Sequence, residues 1–136
     1  MVISKPIGMI EEVREDVRAR GEHTALPPLQ QVLEAVHRLN GSSRSLISLN
    51  LEDGSTLMIG GSGGAFVCTI ESARQIINVT TESDPEEFVS LVVGGQEVEY
   101  PSTYIVSFAC IADLLRCADA SAQVPDNLKF EVLDKD

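Results

Sequence analysis

The middle of the chain, residues 45–100, alternates apolar and polar side chains with a period of two, and glycine-containing turns interrupt the pattern. A first run at 47–51 is followed by Asp53 and Gly54 and then by a returning run at 56–59. Side chains of a β-strand point alternately to its two faces, so this period predicts strands. Asp-Gly between two such runs is a strong hairpin signal. The middle of the chain must therefore fold as a mostly antiparallel sheet that buries one face.

Five more strands are predicted by the same patterns. They cover residues 65–70, 75–80, 87–93, 96–100 and 128–133, with a reversal at 60–64 and a Gly94-Gly95 turn between neighbouring runs. In the strand at 96–100, Glu97 and Glu99 share one face, whereas Val98 lies on the other. Strict alternation therefore makes the exposed face of this strand acidic.

Apolar residues spaced three or four apart predict helices on both sides of the sheet region. One helix covers 7–20 and stops at Gly21, with a first strand as the alternative because Gly8 weakens the helical pattern. A second covers 29–39, and a third covers 108–118 with Ser107 as its N-cap.

These elements predict an α+β fold in which two or three helices pack on one face of a mostly antiparallel sheet. The length of 136 residues fits a single domain. We expect residues 28–133 to form the α+β core and residues 1–27 to be an N-terminal extension or a first helix.

Charge is unevenly distributed along the chain. The sequence has 21 acidic and 10 basic residues, a net charge of −11, which excludes a general nucleic-acid binder and disfavours an anionic membrane surface. No basic residue lies between Arg74 and Arg116, and residues 82–101 hold six acids: Glu82, Asp84, Glu86, Glu87, Glu97 and Glu99. This stretch is either a solvated face that keeps the protein soluble or a docking surface for a basic partner.

Motifs for catalysis or ligand binding are missing from the sequence. Residues 60–64 lack the Gly-Lys-Ser/Thr of a phosphate-binding loop, and neither Cys-x-x-Cys nor His-Glu-x-x-His occurs. His23 and His37 are the only two histidines, and a surface role is expected for His37 near a helix end. We predict no catalytic residue, no cofactor and no metal ion, and hence no enzyme.

Cys68, Cys110 and Cys117 are odd in number in a chain long enough to fold without disulfides, so reduced core thiols are expected. No apolar run approaches the roughly 20 residues that span a bilayer, and the N-terminus lacks a signal-peptide core followed by a cleavage site. We expect a cytoplasmic protein.

The second half of the chain resembles a bacterial immunity-protein family. The residues that carry the resemblance are Gly94-Gly95-Gln96, the alternation that follows, Pro101, a short strand, the helix at 108–117, Val124-Pro125 and the closing Leu128-Lys129-Phe130-Glu131. In the first half, the helix at 28–39, the strand with Asp53-Gly54 and the Gly60-Gly61 turn before Phe66 are similar to the same family. It is the first in the numbered series found beside polymorphic toxins, and the similarity spans roughly residues 28–131.

This resemblance implies an immunity protein, or antitoxin, that binds and inhibits a cognate toxin domain in interbacterial competition. The family includes antidotes to nucleic-acid deaminase toxins and to nucleases, and such a domain presents a basic cleft that an acidic surface can fill. We expect a 1:1 complex through the six acids, a free monomer, and no direct contact with nucleic acid. Tight binding also needs an aromatic or apolar anchor, for which Tyr104 is a candidate if it is exposed.

Two alternatives remain, one in the same broad class of binding proteins and one in a different class. An acidic secretion chaperone is also small and α+β, but it forms a dimer that holds an effector segment in extended form. A small enzyme of unfamiliar type is the third hypothesis.

Overall fold

The structure is a computed structural model that describes residues 1–84 and 86–135. These residues form nine strands, two helices and one 3₁₀ turn. In chain order they are β1 (Pro6–Glu15), β2 (Arg18–Ala25), α1 (Leu29–His37), β3 (Leu46–Leu51), β4 (Thr56–Ser62), β5 (Ala65–Glu71), β6 (Gln75–Thr80), β7 (Phe88–Val93), β8 (Gln96–Pro101), the 3₁₀ turn (Ser102–Tyr104), α2 (Phe108–Asp119) and β9 (Lys129–Asp134). The predicted α+β fold is confirmed.

Seven strands form one antiparallel sheet in the order β2-β1-β3-β4-β5-β6-β9, and β7 pairs only with β8 in a second, two-stranded sheet. The predicted hairpin at Asp53 joins β3 to β4. Gly54 adopts a positive φ of 90°. The Asp53 Oδ1 atom accepts hydrogen bonds from the Ser55 backbone N–H at 2.9 Å and from the Ser55 hydroxyl at 2.5 Å. These bonds lower the pKa of the Asp53 carboxyl, because they stabilise its charged form.

The main core lies between one face of the sheet and the two helices. Alternate residues of β3, β4 and β5 point into it, and residues three or four apart on α1 and α2 meet them. The largest side chains with almost no exposure are Met9, Ile47, Leu49, Leu51, Leu57, Ile59, Ile111, Leu114 and Leu115. Ser107 caps α2 as predicted, since its hydroxyl accepts a hydrogen bond from the Cys110 N–H at 3.2 Å.

The hairpin formed by β7 and β8 covers part of the opposite face of the sheet. The Ile59 side chain of β4 points into the main core, so the next position, Gly60, belongs to the face of the sheet away from the helices. The Val93 side chain contacts Gly60 on that face. A Cβ atom at Gly60 would come within 2.5 Å of Val93 Cγ1, so this contact requires glycine. The hairpin turn is fixed by a hydrogen bond from the Gly95 N–H to the buried Ser45 hydroxyl at 2.9 Å.

The predicted helix at 7–20 is wrong, and the alternative of a first strand is correct. Met9, Glu11 and Val13 of β1 all lie on the helix-facing side of the sheet and are buried. Glu11 occupies a core position with the two-residue period, and this charged residue hides the strand pattern. Val17, which contributed to the helical spacing, lies at the β1–β2 turn and is 94% exposed.

Three smaller expectations also need correction. Gly60 and Gly61 belong to β4, so the reversal before β5 occurs only at Gly63 and Gly64. The short strand expected after Pro101 is the 3₁₀ turn. Cys110 and Cys117 are only half-buried, although Cys110 packs against the main core, whereas Cys68 is buried as expected.

Candidate partner-binding surface

The β7–β8 hairpin has an inner face towards the sheet and an outer face towards solvent. In its register Phe88 pairs with Pro101, Ser90 with Glu99 and Val92 with Glu97, so these six residues share the outer face. The inner face holds Val89, Leu91, Val93, Val98 and Tyr100. Glu97 and Glu99 are exposed, as the alternation predicts, and the Ser90 hydroxyl donates a hydrogen bond to Glu97 at 2.8 Å.

The other four predicted acids lie in the loop that enters β7, and all four are exposed. The loop is held against the 3₁₀ turn, because Ser102 donates its backbone N–H to Glu87 O and its hydroxyl to Asp84 O, both at 2.8 Å. Asp84 also accepts a hydrogen bond from the Glu86 N–H at 2.9 Å. These bonds hold Asp84, Glu86 and Glu87 between the 3₁₀ turn and the start of β7.

The structure therefore brings most of the predicted acids together at one hairpin. We call the outer face of the hairpin and the residues that enter it the acidic surface: Asp84, Glu86, Glu87, Phe88, Ser90, Val92, Glu97, Glu99 and Pro101. Glu82 lies apart from it, in a groove of about 620 Å³ beside the first turns of α2. Within residues 1–84 and 86–135, none of the six predicted acids forms an ion pair.

Tyr104 does not belong to the acidic surface. Its side chain is half-buried, and its hydroxyl donates to Glu131 Oε1 at 2.8 Å and Oε2 at 3.1 Å. The hydrogen bond to this carboxylate raises the pKa of the Tyr104 hydroxyl, because loss of the proton would leave two negative groups in contact.

Phe88 is the exposed aromatic residue that the sequence analysis did not single out. Its side chain is 60% exposed in the middle of the acidic surface. The sequence contained a signal for this position. Val89, Leu91 and Val93 mark the buried face of the strand, and Phe88 lies with Ser90 on the opposite face. An aromatic residue on the polar face of a strand is a candidate anchor for a partner.

Further sites are few in the described part of the chain. No group of three or more His, Cys, Asp and Glu side chains is placed to hold a metal ion there. No helix among these residues is long and apolar enough to cross a membrane. Burial raises the pKa of the Cys68 thiol and, to a smaller extent, that of Cys110, so both favour the neutral thiol.

Comparison with known proteins gives no match, whether the chain is compared with protein-family models, with curated proteins or with solved structures. Evidence on function therefore comes from the geometry of the acidic surface and from the resemblance of residues 28–131 to the immunity-protein family. The geometry contributes two features of that surface: carboxylates without cationic partners and an exposed aromatic side chain among them.

Proposed function

We propose that this chain is an immunity protein that binds a cognate bacterial toxin domain and inhibits it in the cytoplasm. The observation that carries the proposal is the acidic surface, in which the exposed Phe88 lies among carboxylates that have no ion-pair partner in the described part of the chain. The toxin domain is one that acts on nucleic acid, such as a deaminase or a nuclease.

The chemistry of such a toxin supports this choice. An enzyme that binds nucleic acid needs lysine and arginine side chains where the phosphates lie. A protein surface with clustered negative charge is attracted to that cleft and associates with it faster than a neutral surface does. Phe88 provides the apolar contact that charge alone does not, since most binding energy of an interface comes from a few desolvated anchors.

The way the hairpin is held also favours tight binding. Gly95 is fixed to Ser45 at its turn, and Ser102 fixes the loop at its other end. A surface that is ordered before binding loses less conformational entropy when the complex forms. An interface of ordinary size buries about 800 Å² and about 20–30 residues on each partner, so residues around the nine of the acidic surface contribute as well.

A free sheet edge favours the secretion chaperone as a second candidate. β9 lies at one edge of the seven-stranded sheet, and its Val132 and Leu133 are exposed. An edge strand can add an extended peptide by backbone hydrogen bonds, which is how a chaperone would hold an effector segment.

The proposal is tested with the toxin domain encoded beside the gene for this chain. The purified toxin is titrated with the purified protein while its activity on DNA and RNA is followed. We expect activity to disappear near one equivalent, because inhibition by binding is stoichiometric. Loss of activity at a small fraction of an equivalent would show instead that the protein modifies the toxin, and unaffected activity at an excess would contradict the proposal.

Light scattering separates the two candidates. An immunity protein is expected to have the monomer mass of 14.7 kDa when free and to bind a folded toxin domain. A chaperone is expected to be a stable dimer that protects a short extended peptide from proteolysis. The second result would replace the immunity proposal.

A further inference from the structure

A cavity of about 310 Å³ lies between the β7–β8 hairpin and the face of the sheet that points away from the helices. Leu46, Met58 and Val67 supply apolar wall from the sheet, and Val93 and Tyr100 supply it from the hairpin. Tyr104 lines it from the 3₁₀ turn. The size is within the range of about 300–1,000 Å³ that is usual for binding sites of small groups.

The strand register gives this cavity one apolar side and one polar side. Met58 of β4 pairs with Thr69 of β5, Thr69 with Asn78 of β6, and Asn78 with Glu131 of β9, so these four residues form one row across the sheet. The last three are joined by hydrogen bonds: Thr69 donates to Asn78 Oδ1 at 3.0 Å, and Asn78 donates to Glu131 Oε1 at 3.2 Å. A molecule in the cavity therefore meets apolar groups near β4 and the polar side chains of Thr69 and Asn78 on the side towards β9.

Glu131 ends this row of residues just beyond those that line the cavity, and it brings a negative charge behind the polar side. Its carboxylate accepts hydrogen bonds from Tyr104 and Asn78, two residues that line the cavity. A carboxylate has about four acceptor positions, so these three bonds leave capacity for a further donor. Across the described ranges 1–84 and 86–135, Glu131 has no ion pair that would neutralise it.

From this arrangement we propose that the cavity binds an arginine side chain of a basic protein partner. The methylene stem of the arginine packs against the apolar side, as long basic side chains do on apolar surfaces. Its guanidinium group reaches Glu131 and lies near the rings of Tyr100 and Tyr104. Arginine is favoured over lysine because a planar guanidinium stacks on aromatic rings and donates several hydrogen bonds to a carboxylate.

This inference relies on the proposed function only for the identity of the partner. If that partner is a toxin with a basic cleft, the hairpin offers its acidic surface on one side and this cavity on the other. The cavity itself can be tested without the toxin.

Two tyrosines and no tryptophan occur in the chain, and both tyrosines line the cavity. Nuclear magnetic resonance of tyrosine rings labelled with carbon-13 therefore reports directly on binding there. The probe is the blocked tripeptide acetyl-Gly-Arg-Gly-amide, and its control contains citrulline, which has the same shape but no charge. Peptide concentrations up to about 10 mM cover the millimolar dissociation constant expected for one side chain.

We expect saturable shifts of both tyrosine signals with the arginine peptide and at least roughly tenfold weaker binding of the citrulline peptide. Glu131→Gln keeps an acceptor for Tyr104 and Asn78, and it should reduce arginine binding by about tenfold. Tyr100→Leu keeps an apolar wall but removes a ring, with an expected loss of about fivefold. Glu34→Gln removes the same charge from the exposed side of α1, on the opposite face of the sheet, and should leave binding unaltered.

Several results would overturn the inference. They are unchanged tyrosine signals over the full titration, equal binding of the two peptides, and unaltered binding by both Glu131→Gln and Tyr100→Leu. The proposed function fails separately: if the toxin is not inhibited while the arginine peptide binds, the cavity stands and the immunity role does not. If the toxin is inhibited but the peptide does not bind, the immunity role stands and the arginine-binding cavity does not.

Discussion

Two hairpins of this molecule use their charged residues in opposite ways. The β1–β2 hairpin extends the seven-stranded sheet by backbone hydrogen bonds to β3, whereas the β7–β8 hairpin lies over that sheet and contacts it through side chains and its turn. Both are antiparallel and both carry several acids. They differ in whether those acids have cationic partners inside the molecule.

In the β1–β2 hairpin, carboxylates are neutralised by arginines. Glu11 is only 7% exposed and accepts hydrogen bonds from Arg38 at 2.6 Å and from Arg44 at 3.2 Å. Arg44 also donates to Glu22 at 2.9 Å, so one arginine joins both strands to the loop that follows α1. A buried carboxylate requires such partners, because removing it from water costs several kcal/mol.

In the β7–β8 hairpin, the described acids have no such partners and point to solvent. These carboxylates repel one another and so do not stabilise the fold. Their negative charge remains unpaired and can attract a basic partner. The number of acidic residues in a hairpin therefore does not show whether their charge is paired within the molecule. Charge paired within the molecule stabilises its structure, and unpaired charge of one sign on a fixed hairpin favours recognition.

The largest expected effect concerns the paired carboxylate. Glu11→Gln should lower the free energy of unfolding by about 2–3 kcal/mol, since it leaves two arginines without their shared anion. This is below the usual cost for a fully buried pair because both arginines are partly exposed. Urea denaturation measures it, with Glu97→Gln as the matched variant, which should stay within about 0.5 kcal/mol of the parent. Equal free energies of unfolding for Glu11→Gln and Glu97→Gln would show that the paired carboxylate of the β1–β2 hairpin stabilises the fold no more than an unpaired one.

The next effect concerns the aromatic residue of the acidic surface. Phe88→Ala should weaken toxin binding by about 2 kcal/mol, or roughly thirtyfold in Kd, with almost unchanged stability because the side chain is exposed. Surface plasmon resonance provides the affinity. Val132→Ala removes an exposed apolar side chain from the free edge of β9 and is the matched control. A large loss from Val132→Ala with none from Phe88→Ala would move the binding site to that edge.

A smaller effect concerns the association rate. Replacing Glu82, Asp84, Glu86 and Glu87 together by Gln or Asn should lower the association rate constant by about tenfold and flatten its salt dependence. Salt screens the attraction between the two proteins over about 8 Å at physiological ionic strength. Stopped-flow measurements of the association rate constant at several salt concentrations therefore show how far it depends on these charges.

The matched control for this variant changes net charge by the same amount elsewhere on the protein. It neutralises the exposed acids Glu34, Glu52, Asp126 and Asp134. If both variants slow association equally, the total charge matters and the acidic surface has no special part. Folding of both should be retained, since exposed carboxylates of like charge do not stabilise the native state.

The smallest effect tests how Glu131 holds the hydroxyl of Tyr104. Glu131→Gln should lower the pKa of Tyr104 towards its usual value, because the hydrogen-bonded carboxylate is the main cause of the increase. The raised folded-state pKa means that stability is lost as the pH rises above the unfolded value of about 10, and the variant should lose less. Spectrophotometric titration measures this change. Tyr100 is the internal control, as burial raises its pKa and the variant leaves that burial in place.

Much of the fold was determined by local sequence patterns. The two-residue period located β3 to β8, and the spacing of apolar residues located α1 and α2. The Asp53-Gly54 turn and the Ser107 cap were equally predictable, because each depends on a few neighbouring residues. The six acids were also identified from sequence, since the absence of a nearby base is a property of the chain alone.

Other features were decided only by tertiary structure, because they depend on residues far apart in the chain. Glu11 occupies a core position in β1 only because Arg38 at the C-terminal end of α1 and Arg44 in the loop that follows reach it, and no local pattern predicts that pairing. Likewise Phe88 became exposed when the hairpin packed its inner face on the sheet, and Tyr104 became half-buried with its hydroxyl bonded to Glu131 of β9. Strand periodicity divides residues between two faces, but long-range side-chain packing decides which face is buried.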